Sequence, residues 1–455
     1  MGILAFIKHQ APLLLYLASI LVMLKAVTGD GRWALLLLTF LIPLRNIVEK
    51  FQEYPLGSSI INVLFLITVF GLIVSFAMQK TKGWAPSALN IMIFIMISYM
   101  ILSLFIGSNY LYSSFTIDFS EDRVKDLKNF CLMPLLFFIT LNYIKEKIWI
   151  YRILIVMTIA MVLIEYYTIS QIREYSLVSR DKITGTFQFL GTNEVAAFFN
   201  EFTIVLMSIT LFMKEKWIKW SLIAMICINI FCILCLYSRG AYLGLFVGIF
   251  FISMFKNRKL LIPLILVAIF WQNILPEKVV ERIKQTTNEN GQLDTSSQRR
   301  VDIWKQALDL FEKSPLTGIG FGVFRNLGLD LGDTHNIYVK HLVEQGLIGL
   351  AIFLIVLSCF LRMGYVLYKK GDDDLNKGMG LGLMACIVVL MINNFFGDRW
   401  SYLELSAYLW IFTGLVGRLI IMEQDPTDMS AIEQKTKPPT VPLQKPKKKL
   451  RYYDI

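Results

Sequence analysis

Residues 260–271 read LLIPLILVAIFW, twelve consecutive positions without a polar side chain. A helix on the surface of a water-soluble protein needs a polar face, so its apolar residues recur every three or four positions. Similar apolar runs recur along the whole chain of 455 residues, of which 56% are hydrophobic and only 17% charged. The sequence therefore predicts a protein that crosses a membrane many times, and it excludes a water-soluble globular fold.

Thirteen apolar runs occur along the chain, at residues 11–28, 33–48, 60–79, 86–107, 127–144, 148–170, 195–213, 217–236, 240–255, 260–275, 337–368, 377–395 and 402–422. Each is expected to be a helix, because an open strand edge cannot satisfy its backbone hydrogen bonds in lipid. The first two runs are short and are joined by the turn Gly29-Asp30-Gly31, so one of them is expected not to span fully. The predicted fold class is all-α, a polytopic membrane helix bundle of about twelve transmembrane helices.

Basic residues indicate how these helices are oriented. Short lysine-rich loops occur at residues 80–82, 145–147, 214–219, 256–259 and 369–370. Because lysine and arginine concentrate in cytoplasmic loops, these five loops are assigned to the cytoplasm, and the loops between them to the outer side. The net charge of +11 comes largely from such residues, so it indicates contact with lipid headgroups and not with nucleic acid.

Four regions follow along the chain. Residues 1–275 contain the first transmembrane helices, and the first run lacks a cleavage pattern and is expected to be retained. Residues 276–334 form an outer, periplasmic loop region, and residues 335–422 form the C-terminal transmembrane helices. Residues 423–455 are proline-rich and basic, which predicts a disordered cytoplasmic tail.

The outer loop region is predicted to contain one amphipathic helix, from residue 299 to residue 313, after a polar loop at residues 285–297. Val301, Trp304, Leu308 and Phe311 recur at roughly helical spacing, with charged residues between them. Such a helix lies on the membrane surface or packs on the bundle. Pro315 is expected to end it.

Cysteine and acidic residues give no sign of a metal or a cofactor. The six cysteines lie in apolar runs, where a thiol behaves as a small hydrophobe. Cys232 and Cys235 have a CxxC spacing, but no second cysteine or histidine pair accompanies them. The acidic run at residues 372–374 adjoins two lysines and is assigned to a solvated cytoplasmic loop.

Three local patterns on the outer side carry a family resemblance. The first is Tyr237-Ser238-Arg239-Gly240-Ala241-Tyr242-Leu243. The second joins Arg300-Val301-Asp302-Ile303-Trp304 to Ser314-Pro315-Leu316-Thr317-Gly318-Ile319-Gly320. The third is His335-Asn336, then nine residues, then Gly346-Leu347-Ile348-Gly349. In this order and spacing, residues 235–350 resemble the bacterial O-antigen ligase and polymerase family.

The resemblance implies a metal-independent membrane glycosyltransferase of the C type. It implies a place in the cell inner membrane, a site facing the periplasm, and an undecaprenyl-pyrophosphate-linked glycan as donor. It also implies that Arg239 and Arg300 bind the pyrophosphate and that His335 is catalytic. Position alone favours roles without catalysis for these three residues. Arg239 would then be an interfacial arginine whose side chain snorkels to the headgroups, Arg300 a solvated surface residue, and His335 a polar residue at a helix start.

Five further residues are candidates for substrate binding. Arg180 and Lys182 lie on the outer side, where they suit a glycan or a lipid phosphate, and Arg299 adjoins Arg300 but is expected to be solvated. Glu165 is an ionisable residue within an apolar run, which is costly unless it is functional or interfacial. Asn336 suits either substrate orientation or capping of the following helix.

These residues suggest one displacement, in which an acceptor hydroxyl activated by His335 attacks the anomeric carbon of the donor and inverts it. With lipid A-core as acceptor the protein is an O-antigen ligase, which the spacing of the motifs favours. With another lipid-linked repeat unit it is a polymerase, and a protein acceptor stays open. From a different class, a transporter of the same lipid is the alternative, but no internal repeat supports it.

Overall fold

The computed structural model describes residues 3–78, 83–111, 121–175, 179–285, 294–327 and 332–424. Within these ranges, every regular element is a helix. Ten helices make up the N-terminal part: α1 (Ile3–Val27), α2 (Arg32–Leu41), α3 (Arg45–Val48), α4 (Ile60–Ala77), α5 (Ala88–Tyr110), α6 (Asp122–Tyr143), α7 (Lys147–Glu174), α8 (Thr192–Thr210), α9 (Lys216–Cys235) and α10 (Arg239–Phe255).

Seven helices follow in the same described ranges: α11 (Leu261–Ile274), α12 (Glu277–Lys284), α13 (Thr295–Lys313), α14 (Val323–Asn326), α15 (Ile337–Lys370), α16 (Asp374–Asn393) and α17 (Leu403–Gln424). The helix α17 reaches the first two positions of the predicted tail. The rest of that tail, from residue 425, lies outside the described residues, as do the lysine-rich loop at 80–82 and most of the polar loop at 285–297.

Seven helices of the described chain are long and apolar enough to cross a membrane: Gly57–Ala77, Ala88–Tyr110, Lys147–Glu174, Lys216–Cys235, Ile337–Lys370, Asp374–Asn393 and Leu403–Gln424. The pair Arg258–Ile274 and Glu277–Lys284, bent by 97°, adds an eighth if it counts as one broken span. The protein is thus an all-helical, multi-pass membrane protein. The count of about twelve spans stays a prediction.

Proline and short length explain part of the lower count. The second apolar run, residues 33–48, is interrupted at Pro43, so α2 has ten residues and a length of about 15 Å. The run that includes residues 260–271 forms α11, and the chain bends sharply before Pro276, which precedes α12. Apolar composition alone does not make these runs continuous spans.

The centre of the bundle consists of α8, α16 and α17, whose side chains are mostly buried. The helix α10 packs closely against this centre because its glycines leave room for neighbouring side chains. A Cβ atom at Gly244 would approach the Asn200 amide nitrogen to 2.5 Å, and one at Gly248 would approach a Val389 methyl carbon to 2.6 Å. This packing holds the start of α10, and so Arg239, against one end of the central helices.

The amphipathic helix α13 begins at Thr295, four positions before the predicted start at residue 299. The Asp294 side chain accepts a hydrogen bond from the Ser297 backbone N–H at 2.7 Å and so caps the helix. Its packed face is centred on Ile303 and Ala307, which are buried, whereas Leu308 of the predicted stripe is exposed. The predicted apolar stripe was therefore wrong by part of a helical turn. The buried face is set by where α13 contacts the bundle, which the spacing of apolar residues does not show.

The partner surface of α13 comes from the glycine-rich segment after it and from the start of α15. Buried Ile319, Val323 and Val343 pack with Ile303 and Ala307 in one apolar cluster. Of the two placements predicted for this helix, the structure shows packing on the bundle.

Gly346 breaks α15 with a left-handed backbone (φ +66°), and the segment after α13 fills the break. The Leu347 N–H donates to the Pro315 carbonyl at 2.9 Å, and the Ile319 N–H donates to the Val343 carbonyl at 2.9 Å. A Cβ atom at Gly346 would lie 2.3 Å from the Leu316 carbonyl oxygen, so only glycine fits. The second and third sequence motifs are thereby docked on each other by backbone hydrogen bonds.

Candidate active site

Five arginines converge on one cavity of about 290 Å³. They are Arg180, Arg239, Arg282, Arg300 and Arg399. The other lining residues that the structure describes are mostly polar or small, apart from Leu243 and Phe396, and none of them is acidic. Such a concentration of guanidinium groups suits a multiply charged anion, because each planar fork can bind phosphate oxygens in pairs.

Arg239 and Arg300 enter this cavity from α10 and α13, and Asp294 connects the two helices. The carboxylate of Asp294 caps α13 and also lies 2.8 Å from a guanidinium nitrogen of Arg239. The Ser297 hydroxyl lies 3.4 Å from the same guanidinium nitrogen. One residue thus aligns the first two sequence motifs.

Arg180 and Arg282 are held by the turn before α10. A guanidinium nitrogen of Arg180 donates to the Tyr237 carbonyl at 2.7 Å and to the Leu236 carbonyl at 3.2 Å. The Arg282 Nε donates to the Tyr237 carbonyl at 3.3 Å. Tyr237 has a left-handed backbone (φ +52°), so the strained turn directs one carbonyl towards two arginines.

Arg399 enters the cavity from the loop between α16 and α17 and is buried. Its backbone N–H donates to the Asn394 side-chain oxygen at 2.9 Å, and its guanidinium group pairs with the carboxylate of Glu194 at the start of α8. This arginine is therefore fixed before any ligand binds, which lowers the entropy that binding costs.

His335 lies just before α15 in a left-handed conformation (φ +50°), with its side chain exposed. The residues on both sides are anchored. The Trp304 Nε1 donates to the Thr334 carbonyl at 2.9 Å. The Asn336 side-chain oxygen accepts hydrogen bonds from the Tyr338 and Val339 backbone N–H groups, and so caps α15. His335 is held on a short backbone segment with few ways to move.

The surroundings of His335 favour its neutral form. Removal of solvent by the surrounding protein lowers the pKa of His335 below its usual value; Asp333 opposes this and the Arg300 guanidinium adds to it. Burial and the nearby charges of Arg239 and Arg399 also lower the pKa of Arg300, although an arginine stays protonated at neutral pH. The site therefore combines permanent positive charge with a neutral imidazole.

A second, larger cavity of about 630 Å³ reaches the residues directly before His335. Asp333 and Thr334, directly before the histidine, line this larger cavity. Arg300 and Arg399, whose charges act on His335, line the smaller one. His335 thus stands between residues of both cavities. Below, the smaller is called the arginine cavity and the larger the mixed-charge cavity.

Residues 220–354 match the family described as O-Antigen ligase. The match covers less than a third of the chain and supports a relationship to the O-antigen ligase and polymerase family. It contains Arg239, Arg282, Arg300 and His335, whereas Arg180 and Arg399 lie outside it. The relationship predicted from the three motifs is thereby confirmed for this stretch.

An uncharacterized protein of Haemophilus influenzae is also similar. It is 30% identical over 149 residues, which cover 27% of this chain and 37% of the relative. The chain thus aligns with little more than a third of that curated relative.

The structure brings only some of the predicted site residues together. Arg180, Arg239 and Arg300 line the arginine cavity. Arg299 is exposed and lies outside the lining of both cavities, and Lys182 is also outside, with its ammonium group 5.7 Å from the Tyr175 ring. Glu165 is buried along α7, away from both linings. Asn336 is buried, and its side-chain oxygen serves as a helix cap.

Arg282 and Arg399 were missed as site residues. Both lie in stretches assigned to the outer side, where the positive-inside rule disfavours arginine. An arginine in an outer segment, against this rule, is a sequence signal that could have identified both residues as candidates.

Proposed function

We propose that the protein transfers a glycan from an undecaprenyl-pyrophosphate donor to an acceptor hydroxyl at the periplasmic face of the inner membrane. The donor pyrophosphate binds in the arginine cavity, and His335 acts as the general base. The observation that carries this proposal is the convergence of five arginines on one cavity beside an exposed imidazole.

The arginine cavity suits the leaving group of such a reaction. A pyrophosphate attached to a lipid gains negative charge as the bond to the sugar breaks, and fixed positive charge stabilises that change. Arg399 and Arg239 are held by Glu194 and Asp294, so their guanidinium groups are already in place. In this proposal the arginines supply the charge that a divalent cation supplies in other phosphate sites.

The proposed step is a single displacement. His335 accepts the proton of the acceptor hydroxyl while that oxygen forms a bond to the anomeric carbon. The bond from this carbon to the pyrophosphate oxygen breaks, and its electron pair leaves with the pyrophosphate. The imidazolium then releases its proton to water. Attack from the face opposite the leaving group inverts the anomeric carbon.

For the acceptor we infer lipid A-core, which makes the protein an O-antigen ligase, as the motif spacing favours. The second candidate is a polymerase that uses another lipid-linked repeat unit. The mixed-charge cavity keeps this second candidate open, because its size and polar lining suit a glycan of either origin.

The test is a reaction of the purified protein with undecaprenyl-pyrophosphate-linked glycan, with and without lipid A-core, followed by gel mobility of the labelled glycan. Transfer that requires lipid A-core supports the ligase. Glycan lengthening without it supports the polymerase. A donor that is moved across a vesicle membrane but never cleaved would overturn the transferase proposal and favour transport.

A further inference from the structure

The mixed-charge cavity differs from the arginine cavity in that its charges are largely balanced. Four basic and five acidic side chains line it. Among these side chains, two oppositely charged pairs are in contact: Arg45 with Glu404 at 3.9 Å, and Arg325 with Asp126 at 3.7 Å. A phosphorylated ligand would therefore meet nearly balanced charge here. In the arginine cavity, by contrast, five arginines line the wall and no described lining residue is acidic.

Neutral hydrogen-bonding groups complete the polar part of the lining. They include Ser58, Ser59, Asn62, Asn129, Thr334 and Ser401. Hydroxyl and carboxamide groups both donate and accept hydrogen bonds, as do the hydroxyl groups of a sugar. The polar lining therefore suits a polyhydroxylated ligand.

Phe189 is the most exposed of the apolar side chains that line this cavity. Its side chain is 58% exposed although the neighbouring Phe187 is fully buried. Gln188, between them, has a left-handed backbone (φ +61°), and the Phe189 N–H donates to the Phe187 carbonyl at 2.8 Å. The tight turn buries one phenylalanine and presents the other to the cavity, with the Arg45 guanidinium carbon 5.8 Å from its ring centroid.

An exposed aromatic ring among polar groups matches the chemistry of a sugar ring, which has C–H groups on its faces and hydroxyl groups at its edge. Stacking on an aromatic ring orders such a face without needing charge. The cavity also ends at Asp333 and Thr334, directly beside His335. A sugar bound on Phe189 would thus occupy the cavity that leads to the proposed base.

We propose that the mixed-charge cavity binds the acceptor sugar, with Phe189 as its stacking platform, and that this sugar carries no phosphate next to the reacting hydroxyl. The inference rests on the proposed transfer reaction and deepens it by naming the acceptor class. It holds for a ligase and for a polymerase, because both use a sugar hydroxyl as nucleophile.

The first experiment measures initial rates of the purified full chain, with donor and acceptor varied separately, for the acceptor that supports transfer. Phe189→Ala should raise the acceptor KM about five- to tenfold, as loss of one stacking contact predicts. The donor KM and kcat should change by less than about twofold, because the ring lies outside the arginine cavity. Phe189→Tyr should restore the acceptor KM, since it keeps the aromatic face.

Phe94→Ala is the matched control. Phe94 is 73% exposed on α5 and lines neither cavity. This variant should leave both KM values unchanged. An acceptor KM that is unchanged in Phe189→Ala, or a donor KM that rises in its place, would overturn the assignment of the cavity.

The second experiment uses salt to test the charge of the ligand in each cavity. Raising the NaCl concentration from about 0.05 to about 0.5 M shortens the screening length and weakens unpaired charge attraction. The donor KM should rise several-fold, whereas the acceptor KM should stay within about twofold. An acceptor KM that rises as steeply as the donor KM would show a charged acceptor in the cavity and contradict the proposal. Absence of any transfer by the unaltered protein would instead count against the proposed function.

Discussion

The two cavities beside His335 differ in charge and in the part of the chain that builds them. Five arginines line the smaller one without an acidic residue among the described lining, whereas basic and acidic side chains balance in the larger one. Three of the five arginines lie within the family match at residues 220–354. By contrast Arg45, Phe189 and Glu404, which distinguish the larger cavity, lie outside it.

This difference suggests a division of labour along the chain. We infer that the family stretch supplies donor chemistry, and that the remaining helices supply much of the surface that selects an acceptor. The predictions below test that division, starting with His335, which adjoins residues of both cavities.

The largest effect is expected for His335→Ala, which breaks the connection between the cavities. Loss of a general base should lower kcat by about 10² to 10⁴. Binding of undecaprenyl pyrophosphate to the purified protein should be unchanged, because the arginines remain. Loss of lipid binding together with activity would indicate instead that His335 maintains the structure of the arginine cavity.

Arg300→Gln removes one of the five guanidinium groups that line the arginine cavity. Removal of one positioned charge that stabilises a leaving group should lower kcat/KM by about 10²- to 10³-fold. The adjacent Arg299→Gln is the matched control, since Arg299 is exposed and lies outside both linings. It should retain activity within about twofold. Equal losses in the two variants would contradict the assignment of Arg300.

The pH dependence of kcat/KM tests how the charges of the arginine cavity affect the pKa of His335. A lowered pKa keeps His335 neutral at pH 7, so activity should fall only at a pH below its usual value of about 6.5. Arg300 is one of the charges that lower this pKa. The acid limb of the residual activity in Arg300→Gln should therefore move to higher pH, while that of Arg299→Gln should not. A shift to lower pH would exclude His335 as the titrating base.

The smallest effect is expected for Trp304→Phe, which keeps an aromatic ring in the packed face of α13 but removes the hydrogen bond to Thr334. Loss of about 1 kcal/mol of positioning should lower kcat several-fold. Both KM values should be nearly unchanged, because neither cavity loses a lining side chain. A rise in one KM value alone would place Trp304 in that cavity and not in the support of His335.

Much of the site could be predicted because its residues belong to local patterns. Arg239, Arg300 and His335 each stand in a motif with a recognisable spacing, and the two arginines meet in one cavity next to the histidine. The capping alternative for Asn336 describes what its side-chain oxygen does. The remaining candidates rested on the side of the membrane, on a neighbouring residue or on position within an apolar run. Of these, Arg180 lines the arginine cavity, whereas Glu165 is buried away from both cavities.

The sequence by itself determined that the chain is helical and spans a membrane, because uninterrupted apolar runs have no other stable structure in lipid. It also predicted the relationship to the O-antigen ligase and polymerase family and singled out Arg239, Arg300 and His335 as candidate site residues. Only the tertiary structure decided that Arg180, Arg282 and Arg399 join Arg239 and Arg300, since these arginines are far apart in the chain. They meet because α10 packs against α8 and α13 packs against α15. The carbonyl of Tyr237 and the carboxylates of Glu194 and Asp294 then hold the guanidinium groups.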